Sequence, residues 1–286
     1  MKKFFYSAFA ASLLFAACRS APDPEQSLPL PSLAFDGIQA ESPDALALFF
    51  ILELNNPLPS AGLVTVESWQ VKVNGQAAYA GFSLEGAEGR FPVTPEAPAS
   101  FPLTLNMDVA ALIAEGLAPF DYYEVELIAE LGFSCGREAV PKRLYVSGLA
   151  AFPGVRPPVF SIIDIAILQA ELINTRFRVG IKIDNPNAFP LELSALGYTL
   201  FGNGRLWADG TERNAIPIPA KSSVEGSFLL LMNFMGMRRE TLDQIINLVD
   251  VNYRFAGEAQ VSTGVEFLPK FTTRFDLSGF SQVLER

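Results

Sequence analysis

Histidine is absent from the 286 residues of the sequence. A Ser-His-Asp triad, a Cys-His pair and an imidazole metal site are therefore excluded. Cysteine is scarce as well, since Cys18 and Cys135 are the two in the chain. A lone cysteine such as Cys135 is more typical of a small packing residue than of a nucleophile.

Basic residues and long apolar runs are also few. The 21 Lys and Arg stand against 31 Asp and Glu, for a formal net charge of −10. Such a chain repels phosphate backbones and anionic headgroups, so we expect no nucleic-acid partner and no lipid docking through a basic patch. The apolar runs after Cys18, such as Leu46–Leu52, have the length of strands and predict sheet core.

No spacing in the sequence indicates a cofactor. Glycine-rich phosphate loops of the mononucleotide and dinucleotide types are missing. Asp209-Gly-Thr-Glu212 lacks the spaced acids of a calcium loop. Carboxylates are plentiful, but no spacing singles out a pair suited to acid-base hydrolysis. We therefore expect no cofactor and no metal.

The N-terminus has the pattern of an export signal. Lysines precede an uncharged apolar run over residues 4–17, which is shorter than the roughly 20 residues that a membrane-spanning helix needs. The ending Ala-Ala-Cys18 resembles a bacterial lipobox, although Phe15 stands where Leu, Val or Ile is usual. Residues 1–17 are thus predicted to be a lipoprotein signal peptide, and Cys18 the lipidated residue. An ordinary secretory signal cut nearby is the alternative.

Lipidation would place the protein in the bacterial cell envelope, held on the membrane by acyl chains. Arg19 follows the cysteine, in place of the aspartate that retains some lipoproteins at the inner membrane, which favours the outer membrane. Residues 18–31 are rich in proline and are predicted to form an extended tether.

The remaining chain divides into two similar pieces. The predicted boundaries are residues 32–150 and 159–286, with a proline-rich linker over 151–158. Three turn signals recur at an offset of 129 residues: Asn56-Pro57 with Asn185-Pro186, Asn74-Gly75 with Asn203-Gly204, and Ala80-Gly81 with Asp209-Gly210. A constant offset indicates a duplication. The Asn-Pro pairs are interpreted as strand terminators, with a partner-binding loop as the alternative, and Asn-Gly as hairpin turns.

Each piece predicts strands and one short helix. Residues 177–183 alternate apolar and polar, as in a strand with one buried face. Leu46–Leu54 is apolar on both faces, which predicts a central or covered strand. Asp108 is a candidate helix cap in the first piece, and Thr241 in the second. The predicted fold is mainly β: two tandem β-sandwiches, each with one short helix.

The second piece resembles the late embryogenesis abundant type-2 family, whose repeat is called the water stress and hypersensitive response domain. The residues that carry the resemblance are 179–187, Tyr198, Asn203-Gly204, Asp209-Gly210, Ile218-Pro219 and 255–258. The first piece has Asn56-Pro57 but Leu58 where the second has Asn187. The resemblance implies that each sandwich is immunoglobulin- or fibronectin-like with one helix. It also implies that there are no established catalytic residues, and a role in protecting proteins or membranes during water loss.

These observations predict a non-enzymatic, lipid-anchored envelope protein that binds or shields proteins or membrane under desiccation or osmotic stress. The alternative is an envelope carrier or assembly module that holds a hydrophobic ligand or lipid in an apolar groove. A third class, a hydrolase, needs two convergent carboxylates in a cleft. The candidate apolar surface for a ligand or partner, with core filling as its alternative, consists of Phe234, Met235, Met237, Leu242 and Ile246.

Overall fold

The computed structural model describes residues 30–285 except 57, 59, 96, 136–141, 170–174, 233–250 and 282. The strands of the N-terminal half, with its helix, are β1 (Leu30–Ala40), β2 (Ala45–Asn55), β3 (Gly62–Val73), β4 (Gln76–Ala78), β5 (Phe82–Glu85), β6 (Arg90–Val93), β7 (Ala99–Asp108), α1 (Val109–Ala114), β8 (Tyr122–Cys135) and β9 (Lys142–Pro153). Those of the C-terminal half are β10 (Val159–Gln169), β11 (Thr175–Asp184), β12 (Leu191–Gly202), β13 (Arg205–Glu212), β14 (Ile216–Ile218), β15 (Ser223–Met232), β16 (Val251–Ser262), β17 (Lys270–Ser281) and β18 (Val283–Glu285).

The strands form two sheets in each half, and most of the strand order is the same in both. The exceptions are β5 beside β7 and β18 beside β10, which have no counterpart among the described strands of the other half. In the N-terminal half the orders are β1-β2-β7-β5 and β4-β3-β8-β9, with β6 paired to β3. In the C-terminal half they are β15-β11-β10-β18 and β13-β12-β16-β17, with β14 paired to β12. The prediction of a mainly β fold built as sandwiches is confirmed. The shared order is what a duplication would produce, and the duplication itself stays a prediction.

The core of the N-terminal half lies between its two sheets. Leu48, Phe50 and Leu52 of β2 are fully buried and alternate with partly buried residues on the opposite face. They pack in one cluster with residues of β8 such as Leu127 and Phe133. Because alternate strand residues point to opposite faces, the doubly apolar sequence of β2 covers the core with one face only.

The core of the C-terminal half is more aromatic. Phe177 of β11 stacks on Trp207, with ring centroids 5.4 Å apart, and both belong to one buried cluster. Phe255 of β16 joins them and lies 5.3 Å from Phe275. Offset aromatic pairs of this kind stabilise a core beyond the area they bury.

Asn-Gly dipeptides form the equivalent hairpins of the two halves. Asn74 and Asn203 both have φ of 49°, and the following Gly75 and Gly204 have φ of 79° and 75°. Positive φ at both central residues defines a type I′ turn, which suits the twist of the flanking strands. The backbone N–H of each asparagine also donates to a carbonyl of a neighbouring strand in the sheet. That of Asn74 donates to the Glu124 carbonyl at 2.8 Å.

The predicted first helix is present as α1. The carboxylate of Asp108 accepts a hydrogen bond from the backbone N–H of Ala111, as a helix cap does. Val109 and Leu112 bury one side of the helix against the core. The predicted second helix lies within residues 233–250, outside the described residues.

The connection between the halves makes contacts on both sides. Residues 151–153 of the predicted linker belong to β9. The Gly154 N–H donates to the Asp121 carbonyl at 2.9 Å. Asn187 binds the Arg156 backbone twice, accepting from its N–H at 2.7 Å and donating to its carbonyl at 2.8 Å. Phe152 meets Phe267 of the other half edge to face at 5.9 Å.

Candidate binding face

The outer face of the sheet β1-β2-β7-β5 carries an apolar stripe made of Ala47, Phe49 and Ile51. These three residues of β2 point away from the core and are partly buried by their neighbours. Gly37 of β1 pairs with Phe49, and a Cβ added at Gly37 would lie 4.0 Å from the phenyl ring. The glycine therefore leaves one flank of the Phe49 ring open beside the neighbouring strand.

A groove of about 660 Å³ continues the apolar stripe at the end nearest α1. One row of paired residues crosses all four strands within it, and this row consists of Gln39, Ala47, Asn106 and Ser83. Glu41 and Asp108 also line the groove. Since Ala47 belongs to both, the apolar stripe and the groove form one continuous surface, hereafter the N-terminal face.

The N-terminal face carries carboxylates and no cation. The four strands β1, β2, β7 and β5 contain Asp36, Glu53, Asp108 and Glu85, and no Lys or Arg. Among the described residues, none of these four carboxylates forms an ion pair. Glu85 accepts from the Asn106 amide at 2.8 Å, and Asp108 caps α1. The negative charge of this face is therefore balanced by no cation within the described chain.

The charge of the whole chain is divided unevenly. Residues 19–150 hold 17 Asp and Glu against 6 Lys and Arg, whereas residues 151–286 hold 14 against 13. Most of the net negative charge therefore resides in the N-terminal half. A field of this sign attracts cationic partners and speeds their encounter.

The equivalent face of the C-terminal half carries cations, and two of them form ion pairs with neighbouring carboxylates. Arg178 of β11 binds Asp164 of β10 at 2.5 Å, and Lys182 binds Asp184 at 2.8 Å. Gly180 stands between them in β11, and a Cβ there would collide with the Asp164 carboxylate. This glycine therefore makes room for the ion pair across the outer surface.

The second sheet of the C-terminal half also neutralises its charges. Arg254 and Asp276 form a double hydrogen bond at 2.8 and 2.6 Å, which lowers the pKa of the Asp276 carboxyl. Their neighbourhood forms an open hollow of about 620 Å³. Tyr198 borders this hollow, and burial raises the pKa of its hydroxyl, with Glu212 and Asp209 adding to the effect.

The asparagines of the Asn-Pro pairs are buried and hydrogen-bonded. The Asn185 amide donates to the carbonyls of Phe189, Ile218 and Pro219 at 2.8 to 3.2 Å, and its oxygen accepts from Asn187. Asn56 donates to the carbonyls of Ser60 and Val93. Both side chains satisfy backbone groups at the strand end and present no free donor to a ligand. Pro57 lies outside the described residues.

The remaining candidates from the sequence are placed as follows. Cys135 is partly buried, and its thiol lies 2.9 Å from the Ser60 hydroxyl. In the described ranges, no group of three or more Cys, Asp or Glu side chains could hold a metal ion. Cys18 and the predicted signal peptide lie outside the described residues. The same holds for the proposed apolar surface, which consists of Phe234, Met235, Met237, Leu242 and Ile246. No helix of the described chain is both long and apolar enough to cross a bilayer.

The N-terminal face was not predicted as a site from the sequence. Its signal was the doubly apolar run over Leu46–Leu54, which predicted a central or covered strand. The structure places this strand between β1 and β7, so it is central. The surrounding carboxylates come from four strands, and only the strand pairing brings them to one face.

The fold and the site define a mainly β protein with sandwich-like sheets and an acidic, apolar outer face. Residues 180–278 match the family model of the late embryogenesis abundant proteins, type 2, which confirms the resemblance over that segment. The search of curated proteins gave no match.

Solved structures give weak similarities. A protein from Archaeoglobus fulgidus is 21% identical, with 44% of this chain and 97% of that one covered and a TM-score of 0.26. A calcium-binding mutant of Bacteroides uniformis beta-glucuronidase 2 is 13% identical, with 81% of this chain and 26% of that one covered and a TM-score of 0.23. A glycosyl hydrolase family 2 member from Bacteroides cellulosilyticus is 9% identical, with 81% and 28% covered and a TM-score of 0.26. Similarities at this level carry no argument about activity.

Proposed function

We propose that this protein is a non-enzymatic, lipid-anchored protein of the bacterial cell envelope that binds or shields other proteins or membrane during desiccation or osmotic stress. The observation that carries the proposal is the match of residues 180–278 to the late embryogenesis abundant family. The family is associated with stress responses and has no established catalytic residues.

The anchoring part of the proposal is supported by the N-terminal pattern. An uncharged apolar run ends at Cys18, and residues 19–29 include Pro22, Pro24 and Pro29. Several acyl chains on one cysteine hold a protein firmly, since each buried methylene contributes about 0.8 kcal/mol. A proline-rich segment of this kind would separate the folded halves from the membrane.

The binding part is supported by the N-terminal face. Ala47, Phe49 and Ile51 form an apolar stripe that the described chain leaves partly exposed, next to a groove of about 660 Å³. Contiguous apolar surface with a polar rim is typical of interaction sites. A shielding protein needs such a surface and does not need reactive side chains.

Survival of drying by a host strain tests the proposed function. A strain without the gene should survive drying or osmotic shock less well than the parent, and the wild-type gene should restore survival. The Cys18→Ala variant should lose labelling by a fatty-acid probe and should restore survival poorly. Unchanged survival and envelope integrity in the deletion strain would contradict the proposal.

A further inference from the structure

We propose that the N-terminal face docks a cationic amphipathic segment of another polypeptide. The apolar side chains of that segment would cover Phe49 and Ile51, and its Lys or Arg side chains would pair with the surrounding carboxylates. This inference rests on the proposed function and names the class of partner that the protein binds.

The apolar part of the N-terminal face comes from the strand pattern of β2. Phe49 and Ile51 stand opposite Thr104 and Pro102 of β7, so the surface on that flank is made of small or weakly polar groups. On the other flank Gly37 faces Phe49. Covering a Phe or Ile side chain that is partly exposed removes apolar area from water and favours binding by about 25 cal/mol per Å².

The charge of the face decides between partners. Asp36, Glu53 and Glu85 are without an ion-pair partner in the described chain, and the four strands hold no cation. An anionic lipid surface or a second acidic face would bring like charges together, which is unfavourable. A segment with Lys or Arg beside its apolar residues instead gives each carboxylate a counter-charge.

The groove gives the docked segment a place for a cationic side chain. Its lining includes Glu41 and Asp108, and the Asp108 oxygen that caps α1 leaves the second carboxylate oxygen for another donor. Strands lie about 4.8 Å apart, so the row from Gln39 to Ser83 spans roughly 14 Å. A short run of residues is sufficient to reach from the apolar stripe into this groove.

The C-terminal half supplies a matched control surface. Leu229 of β15 is 68% exposed and pairs with Arg178, so it belongs to the equivalent outer face. There the cations Arg178 and Lys182 already bind Asp164 and Asp184. A cationic segment therefore gains apolar contact at this face, but it also meets these two cations, and Glu225 of β15 is a carboxylate there without an ion pair among the described residues.

Peptide binding to the full-length lipoprotein tests the inference. The protein is held in phosphatidylcholine nanodiscs, and binding to empty discs is subtracted. The probes are fluorescent peptides of alternating Lys and Val, or of alternating Glu and Val. We expect the Lys-Val peptide to bind at least about tenfold more tightly than the Glu-Val peptide, and to weaken with added salt.

Variants locate the binding surface. Phe49→Ser with Ile51→Thr should weaken Lys-Val binding by about tenfold or more, and Glu41→Gln with Glu85→Gln should reduce its salt dependence. Leu229→Ser should leave binding unchanged. Glu41 is exposed in the loop after β1. The Glu41 variant therefore tests the inference even if the variant at Phe49 and Ile51 is destabilised.

Three results would overturn the inference: equal binding of both peptides, wild-type binding by the Phe49 variant with normal circular dichroism, or binding to anionic phosphatidylglycerol vesicles in place of the peptide. Self-association through this face in ultracentrifugation would also overturn it, since a second copy would then be the occupant. If the peptide fails to bind while the deletion strain still dies on drying, only the partner class is wrong.

Discussion

The two halves share most of their strand order but differ in how the charged side chains of their outer faces are paired. In the N-terminal half, Phe49 and Ile51 are surrounded by carboxylates that no described cation balances. In the C-terminal half, Arg178 and Lys182 of β11 stand 129 residues after Phe49 and Glu53, and both bind neighbouring carboxylates. One scaffold thus supports a face with an unsatisfied charge and another on which two cations are paired. This difference is the reason for proposing an interaction surface in the N-terminal half.

The cores of the two halves differ in the sizes of the side chains at two equivalent positions. In the C-terminal half Gly202 lies against Trp207, and a Cβ at the glycine would overlap the indole ring. The positions 129 residues earlier are Val73, which is fully buried, and Ala78. The half with the large indole has a glycine beside it, whereas the half with valine at the glycine position has only alanine at the tryptophan position, so neither half places two bulky side chains there. Three predictions test the comparison between the halves.

The largest effect is expected for Gly202→Val. The valine side chain must displace the ring of Trp207, which itself stacks on Phe177, so we expect a loss of about 3 kcal/mol in the free energy of unfolding. Denaturant titration followed by tryptophan fluorescence measures it. Adding Trp207→Ala should recover part of the loss by restoring the pairing of the N-terminal half.

Gly226→Ala serves as the control for this prediction, because no atom lies within 4 Å of a Cβ added there. It should change stability little. Equal stability of the Gly202 and Gly226 variants would show that the indole ring moves aside freely and that the difference in side-chain size has no energetic meaning.

A smaller effect is expected at the two buried asparagines. Asn185→Ala leaves three carbonyls and Asn187 without a partner, whereas Asn56→Ala leaves two carbonyls and the Leu58 N–H. We expect about 2 kcal/mol for the first and about 1 kcal/mol for the second. Chemical denaturation measures both, with the exposed Asn55→Ala as control. A larger loss at Asn56 would reverse the proposed order.

The smallest effect is expected at the junction of the halves. Asp121 accepts hydrogen bonds from Lys221 at 2.5 Å and from Arg156. The hydrogen bond from Lys221 lowers the pKa of Asp121 below its usual 3.8, partial burial opposes this shift, and the charges of Lys221 and Arg156 lower the pKa further. Because the pKa of Asp121 is lowered in the folded state, its ionised carboxyl stabilises the fold when the pH is above the usual 3.8. This stabilisation is lost as the pH falls through the lowered pKa of the folded state.

Asp121→Asn should therefore lower the melting temperature slightly at pH 7, and the difference from the wild type should shrink as the pH falls below 3.8. The effect is small because both partners of the ion pair are partly exposed. Calorimetry across that pH range measures the difference, and Lys182→Gln, which removes the Lys182–Asp184 ion pair within β11, is the matched control. A difference that grows in acid would contradict the assigned direction.

Local chemistry explains what could be predicted from the sequence. Asn74-Gly75 and Asn203-Gly204 determine their turns because both central residues need positive φ, and few other dipeptides accept it. Asp108 marks the start of α1 because its side chain caps the first turn. Alternation in β11 identified the buried face, since the strand period is two.

Tertiary contacts explain what the sequence concealed. Gly81 and Gly210 match at the constant offset, yet Gly81 has φ of 75° between β4 and β5, while Gly210 lies within β13. A Cβ at Gly210 would lie 2.6 Å from the Tyr198 hydroxyl, so this glycine accommodates a ring. The N-terminal face was concealed for the same reason, because only strand register brings Glu53 and Glu85 to one face.

The unbalanced carboxylates around Phe49 have a consequence for a drying cell. As water leaves, dissolved ions concentrate, and the distance over which charges act falls from about 8 Å toward about 3 Å near 1 M salt. Attraction between these carboxylates and a cationic partner then fades, while apolar adhesion through Phe49 and Ile51 persists or strengthens. A surface that is selective when the cell is wet would thus become a general adhesive as it dehydrates.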